Sequence, residues 1–167
     1  MPDDSLIRGT RVGPSPNTVY RSSSDAIVVD TTAETEILVY TVPAFTLDGD
    51  HSIKAFLDVE YAKLDAAGIT NAIFRAYYGA TEMWEWTQGM VNPLVFPARI
   101  ELELAAKNSD AAQEMFVQSN LNGSAKSFYD EATEDATTDL DFRVTVEIAA
   151  ADPDIYVLLR RAVVQQL

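Results

Sequence analysis

The sequence predicts an all-β fold: an antiparallel β-sandwich of the jelly-roll type, preceded by an extended N-terminal arm. Three observations lead to this prediction. Short segments alternate apolar and polar residues, turn-forming residues separate these segments, and hardly any stretch has helical periodicity. Ser52–Tyr61 is the clearest segment, because every second residue from Ile53 to Tyr61 is apolar. A period of two indicates a strand with one buried face.

The alternation continues along most of the chain. In a second long segment, Phe142, Val144, Val146 and Ile148 share one face. Eight principal strands with connections of unequal length favour a jelly roll over an up-and-down barrel. The sequence predicts nine strands in all: Ala26–Asp30, Glu36–Val42, Ser52–Tyr61, Asn71–Tyr78, Thr81–Trp86, Arg99–Ala105, Gln113–Leu121, Leu140–Ile148 and Ile155–Val164.

The residues between these segments favour turns. Gly79-Ala80 is a two-residue link whose leading glycine suits a type II′ hairpin, and Asn122-Gly123 is a strong hairpin signal. If the second turn forms, Ser124–Tyr129 returns as a further short strand. Asp48–Asp50 and Asp152–Asp154 have turn composition. Three prolines are expected at strand ends, where a missing N–H does least harm: Pro43, Pro93 and Pro97.

The chain divides into an arm, residues 1–24, and a sandwich domain, residues 25–167. The arm is rich in proline, glycine and serine and has almost no apolar periodicity, which is typical of an extended or disordered segment. Arg8, Arg11 and Arg21 outnumber its two aspartates, so its net charge is +1. Two interpretations stay open: a frayed terminus with solvated arginines, or an arm that docks on a partner and pairs with a sheet edge there.

Composition limits the classes of function. With 167 residues, 47% apolar and 23% charged, the chain has the size and composition of one globular domain. A net charge of −14 argues against general binding to nucleic acid or to an anionic membrane. We expect no membrane span, because no apolar run reaches about 18 residues, and no secretory leader. The chain has no cysteine, which excludes disulfides and thiolate metal sites.

Few residues in the sequence are suited to catalysis. His51 is the only histidine, and no nucleophile elbow, zinc-binding helix or phosphate-binding glycine loop occurs. Carboxylate pairs such as Glu101/Glu103 and Asp139/Asp141 have the spacing of a solvated strand face, although a glycosidase also needs such a pair. We therefore expect no enzyme, and no catalytic, cofactor-binding or metal-binding residues.

An acidic stretch and an aromatic group give two sharper hypotheses. The acidic stretch is either solvated loop charge or a set of oxygen ligands for Ca²⁺, although its spacing matches neither an EF-hand nor a repeat-type calcium loop. The aromatic residues Tyr77, Tyr78, Trp84 and Trp86 flank the Gly79-Ala80 turn. Trp84 and Trp86 share a strand face, so they either stack on a sugar or fill the core or a subunit interface. The acidic stretch consists of Asp130, Glu131, Glu134, Asp135, Asp139 and Asp141.

The order of strands and turns resembles small virion structural proteins of tailed bacteriophages, of the capsid cement or decoration type. In Glu36–Gly49 a strand ends in V-P-A-F-T-L and leads into the alternating I-K-A-F-L-D-V-E-Y of Ile53–Tyr61. The matching order continues through F-R-A-Y-Y-G-A-T and I-E-L-E-L-A-A-K-N-S to F-R-V-T-V-E-I-A-A-A-D-P-D-I-Y-V-L-L-R-R-A-V-V, which ends at Val164. The acidic stretch and the W-E-W element have no counterpart in that pattern.

This resemblance implies a jelly-roll domain that acts as a homotrimer on the virion. The leading hypothesis is a non-enzymatic capsid cement protein that is made in the host cytoplasm, binds the major capsid protein or another virion protein, and stabilises the capsid surface without a cofactor. The alternative is a carbohydrate-binding module, or the receptor-binding part of a fibre or tail. The candidate partner-binding residues are Arg8, Arg11, Arg21, Trp84 and Trp86.

Overall fold

The computed structural model describes residues 17–22, 26–47, 51–64, 68–90, 94–121 and 124–167. Within these ranges the chain is built from β-strands joined by turns and loops. The strands are β1 (Asn17–Ser22), β2 (Ala26–Val29), β3 (Thr35–Val42), β4 (Ser52–Lys63), β5 (Thr70–Tyr78), β6 (Thr81–Met90), β7 (Leu94–Ser109), β8 (Ala112–Leu121), β9 (Ser124–Ala132), β10 (Leu140–Ile148) and β11 (Ile155–Gln166).

The strands form two antiparallel sheets that pack as a sandwich. A seven-stranded sheet has the order β1-β11-β4-β7-β8-β9, with β2 also paired to β11, and a four-stranded sheet has the order β3-β10-β5-β6. Eight of these strands, β2-β11-β4-β7 opposite β3-β10-β5-β6, have the strand order of a double-sheet jelly roll. The predicted all-β jelly-roll sandwich is therefore confirmed, and β8 and β9 extend its larger sheet.

All nine predicted strands form, and the conditional tenth is β9. Pro97 is an exception to the expected placing of prolines, because it lies inside β7 and faces Glu60 of β4. The pairing of β7 with β8 extends only as far as Ala98. Pro97 therefore lies one residue beyond the last β7–β8 pair, at the end of that ladder, where a missing N–H does least harm.

Part of the predicted arm is a strand of the sandwich itself. Residues 17–22 form β1, which pairs with β11 from Asn17↔Gln166 to Ser22↔Ala162. β2 continues along the same edge of β11, from Ala26↔Leu159 to Val29↔Tyr156. The sequence placed the boundary between arm and sandwich domain after residue 24. This is wrong for residues 17–22, because their backbone pairs with β11 of the sandwich. Residues 1–16, 23 and 24 lie outside the described residues.

The core fills the space between the two sheets. The five inward residues of β4 that the alternation predicted, Ile53 to Tyr61, are each at most 2% exposed. Phe74 and Phe142 meet them from the smaller sheet and are buried to the same degree. Each such large apolar side chain contributes about 1.5–3 kcal/mol through burial, so this two-sided core is the main source of stability.

The loop between β9 and β10, residues 133–139, is held against one end of the sandwich. The side chain of Gln113, which is fully buried, donates to the carbonyl oxygens of Asp110 and Glu134 and accepts from the Glu134 N–H. The loop backbone is also bonded to the chain on both sides, because Ala136 N–H donates to Asp110 O and Phe45 N–H donates to Ala136 O, both at 2.8 Å. A buried amide with all these partners stabilises the loop.

The hairpin between β5 and β6 has the predicted two-residue link. Tyr78 faces Thr81 across the turn, and Gly79 has a φ of +59°. Positive φ at the first of the two turn residues is what a type II′ turn requires. Glu134 reaches this turn from the loop after β9, and its Oε1 accepts from the Ala80 N–H at 3.1 Å and from Thr81 Oγ1 at 2.6 Å.

We expect Gly79→Ala to destabilise the protein by about 1–3 kcal/mol. The backbone there is left-handed, and an added Cβ would lie 2.9 Å from the Glu134 carboxyl group. The matched control is Gly89→Ala, because its Cβ would meet nothing closer than 3.8 Å. Denaturant unfolding of both variants measures the difference, and equal midpoints for the two would contradict this account of the turn.

Candidate functional site

Trp84 and Trp86 lie inside the sandwich. They share the inner face of β6, opposite Ala76 and Phe74, and are only 4% and 5% exposed. Their rings contact Phe128 of β9 edge-on, with centroids 6.3 and 5.8 Å away. The shared face is therefore confirmed, but the exposed sugar-stacking platform is wrong for these two residues. They close one long side of the sandwich, between β6 and β9.

Of the three arginines predicted to bind a partner, the structure describes only Arg21. Arg21 is exposed on β1, opposite Val163 of β11. Arg8 and Arg11 lie outside the described residues. The interpretation of the arm as a docking element therefore stays a prediction.

The acidic stretch is bonded to the protein at several points. Besides Glu134 at the β5–β6 turn, Asp139 accepts from the Ala44 N–H and Asp141 accepts from Thr41 Oγ1, both at 2.8 Å. Among the described residues, no group of three or more acidic or histidine side chains is placed to hold a metal ion. Burial, with help from Glu134 and Asp135, raises the pKa of the nearby Tyr78 to about 12.

The outer face of the four-stranded sheet is occupied by a charge cluster. Arg75, which is mostly buried, lies within 2.8 Å of Glu147, 2.9 Å of Glu85 and 3.5 Å of Glu34. Burial opposes its charge, but hydrogen bonds to Glu147 and Glu85 raise the pKa of Arg75 above its ordinary value. Tyr77, on the same face, donates its hydroxyl to Glu34 at 2.8 Å. These groups are matched to one another, and a ligand would have to break those pairs.

The outer face of the seven-stranded sheet is different, because it carries exposed aromatic rings. Phe116 of β8 and Tyr129 of β9 are directly opposite each other in the ladder, with ring centroids 5.0 Å apart. They are 46% and 48% exposed. The Tyr129 hydroxyl contacts the carboxylates of Glu114 and Glu131 at 3.2 and 2.5 Å, which orients its ring. We refer to Phe116 and Tyr129 as the aromatic pair.

Polar side chains follow the aromatic pair along the same face. Gln118 and Asn120 are the next outward residues of β8 and are exposed. Across the ladder, Lys54 of β4 lies 2.5 Å from Glu101 of β7 and 3.6 Å from Glu103. The hydrogen bond to Glu101 raises the pKa of Lys54, so this ammonium stays charged.

Beyond Asn120 the face deepens into a groove of about 690 Å³. Strands β4, β7, β8 and β11 all contribute to it, and the groove is open to solvent along its length. A second depression of about 320 Å³ shares Arg99 and Asn120 with it and continues toward β9. We call the first depression the central groove; its lining residues are Asp58, Val59, Glu60, Pro97, Ala98, Arg99, Asn120 and Arg160.

Sequence reasoning missed this face, although part of its signal was present. Phe116 lies between the inward Met115 and Val117, so strand parity alone places it outside, which is unusual for a phenylalanine. Tyr129 has the same relation to Phe128, whose ring contacts the buried tryptophans. No local sequence pattern indicates that Arg99, Asn120 and Arg160 lie close together, because three different strand pairings bring them together.

Comparison with known proteins gives similarity in fold only. No family model matches the chain, and no curated protein matches its sequence. Among solved structures, peanut lectin with a nine-residue peptide is 8% identical, with a TM-score of 0.44 over 89% of this chain and 96% of that one. Lectin II from Ulex europaeus is 9% identical, with a TM-score of 0.39 over 91% and 94%.

A phage protein also resembles the chain at low similarity. It is the CBM2 module of the evolved Dit of Lactobacillus casei BL23 phage J-1, which is 6% identical, with a TM-score of 0.36 over 76% of this chain and 67% of that one. At such identities the residues that bind a ligand are not transferable. Separately, the described residues contain no helix that is long and apolar enough to cross a membrane.

We expect Trp86→Ala to reduce the free energy of unfolding by about 3–5 kcal/mol, because it removes a buried ring from the contact between β6 and β9. The matched control is Phe116→Ala, which removes an exposed ring from the adjoining sheet and should cost far less. Chemical denaturation gives both values. A small loss for Trp86→Ala, equal to that of Phe116→Ala, would contradict the interior role of Trp86.

Proposed function

We propose that the chain is a carbohydrate-binding protein and that the outer face of its seven-stranded sheet binds an oligosaccharide. The observation that carries the proposal is the exposed aromatic pair on a rigid sheet, followed by amide and charged side chains that lead into the central groove. This proposal keeps the carbohydrate-binding hypothesis of the sequence but moves its aromatic residues from Trp84 and Trp86 to Phe116 and Tyr129.

The aromatic pair supplies an apolar surface that a sugar ring can cover. The C–H face of a pyranose ring packs on an aromatic ring, and the gain comes from removing both surfaces from water. Phe116 and Tyr129 are held by cross-strand pairing, and Tyr129 also by its hydroxyl contacts. A rigid pair loses little conformational entropy on binding, which favours affinity.

The amide side chains supply hydrogen bonds to hydroxyl groups. Gln118 and Asn120 each present a carbonyl oxygen and an NH₂ group, so they can accept from one hydroxyl and donate to another. Phe116 and Asn120 are four residues apart on β8, which corresponds to about 14 Å along a strand. This span suits an oligosaccharide of a few units, whose one end covers the aromatic pair while the other enters the central groove.

Binding to a glycan array, followed by calorimetry on the strongest hit, tests this proposal. We expect Phe116→Ala and Tyr129→Ala each to weaken binding by about tenfold, or about 1.4 kcal/mol. Val39→Ala is the matched control, because Val39 is a comparably exposed apolar residue on the other sheet. Absence of binding to every glycan, or unchanged affinity in both aromatic variants, would refute the proposal.

A second candidate is the capsid cement protein that the sequence resemblance implies. One observation favours it: β2 lies at the edge of the seven-stranded sheet, and its outward residues Ile27 and Val29 are 57% and 37% exposed. An edge strand with exposed apolar side chains favours association with another protein chain. In this proposal the protein binds the shell of a tailed phage as a homotrimer.

Sedimentation, alone and with assembled capsid shells, tests the second candidate. We expect an oligomer that co-sediments with shells, and we expect Ile27→Lys to weaken both associations. The matched control is Val39→Lys, since it adds the same charge at an exposed position of the smaller sheet. A monomer at every concentration that never co-sediments with shells would rule out the cement role.

A further inference from the structure

Arginine side chains gather around the central groove of a strongly acidic protein. The chain carries a net charge of −14, yet two of its eight arginines, Arg99 and Arg160, line this groove, and a third, Arg161, is paired with Asp58 of its lining. They face two carboxylates, Asp58 and Glu60, so this group of side chains has a net charge of +1. The Debye length is about 8 Å at physiological ionic strength, so a ligand in the groove experiences these near charges more than the distant acidic ones.

The two carboxylates hold the arginine side chains in place. Asp58 lies between two guanidinium groups, with Oδ1 3.0 Å from Arg99 Nε and Oδ2 2.9 Å from Arg161 Nη2. Glu60 accepts from Arg160 Nη2 and from the Tyr156 hydroxyl, both at 3.0 Å. Such exposed pairs contribute little to stability, so their main effect is to orient the guanidinium groups.

Arg99 retains donors for a ligand. A guanidinium has five N–H donors, and the ion pair of Arg99 with Asp58 uses the one on Nε. The side chain is 62% exposed, at the boundary between the central groove and the adjoining depression. Its two terminal nitrogens therefore offer the parallel pair of N–H groups that binds a carboxylate or a similar oxyanion in a bidentate manner.

We propose that the central groove selects glycans with a negatively charged sugar, and that Arg99 binds the anionic group. This inference rests on the proposed carbohydrate-binding function and adds the class of ligand. The sugar ring would lie against the exposed ring of Pro97, with Asn120 beside it. The shared chemistry is an oxyanion with two accessible oxygens, which either a carboxylate or a sulfate ester supplies.

An array of uronate-containing, sialylated, sulfated and neutral oligosaccharides tests the inference. We expect the anionic glycans to bind about tenfold tighter than neutral glycans of the same length, and rising salt to weaken only the anionic ones. The carboxylate and sulfate members show which oxyanion Arg99 binds. Arg99→Gln should reduce the affinity for the best anionic glycan to that of its neutral counterpart.

Two controls separate the possible failures. Arg143→Gln removes an arginine from the other sheet, and it should leave all glycan affinities unchanged. If neutral and anionic glycans bind equally well and Arg99→Gln changes neither, the selectivity for anionic sugars is refuted while the carbohydrate-binding proposal stands. If no glycan binds the wild-type protein, both are refuted. Because Arg99 is largely exposed, we expect Arg99→Gln to be about as stable as wild type. Denaturation of both proteins checks that the variant is folded.

Discussion

The two-residue period of paired strands is the constraint on which the rest of this structure depends. Successive side chains point to opposite faces, and the ladder register fixes which residues of neighbouring strands share a face. In β4 this places Ile53, Leu57 and Tyr61 in the core, and it places Lys54 and Asp58 outside. A slip of one residue would exchange the two sets, so the buried apolar face specifies the register strongly. The candidate site is a consequence of this register, because it consists of the residues that the core excludes.

The two outer faces show how similar residue types lead to different surfaces. On the smaller sheet, Arg75 is surrounded by carboxylates and Tyr77 is bonded to Glu34, so the polar groups satisfy one another. On the larger sheet, β8 and β9 bring an exposed aromatic pair and exposed amides next to a groove. A surface with unmatched donors and exposed apolar area gains more from a ligand than a self-satisfied one. The strands added to the jelly roll thus provide the face that we propose as functional.

Those same strands also explain the position of the tryptophans. β9 extends the larger sheet until Phe128 reaches the edge of the smaller one, where Trp84 and Trp86 meet it. One face of β9 therefore closes the core while its other face holds Tyr129 on the surface. Hydrogen bonds from Gln113 and from the β5–β6 hairpin at Gly79-Ala80 hold the loop after β9 in place. The acidic residues of that loop therefore have hydrogen-bond partners within the protein.

The sequence by itself determined strands β2 to β11, the β5–β6 turn and the alternation of inward and outward residues, because alternation and turn chemistry are local properties. It predicted that Trp84 and Trp86 share a face and that β4 buries Ile53 to Tyr61, both of which the structure confirms. Only the tertiary structure decided that the tryptophans face inward and that residues 17–22 pair with β11. The groove also required it, since Asp58, Arg99 and Arg161 come from three strands far apart in the chain. Such neighbours depend on long-range strand pairing, which no local pattern specifies.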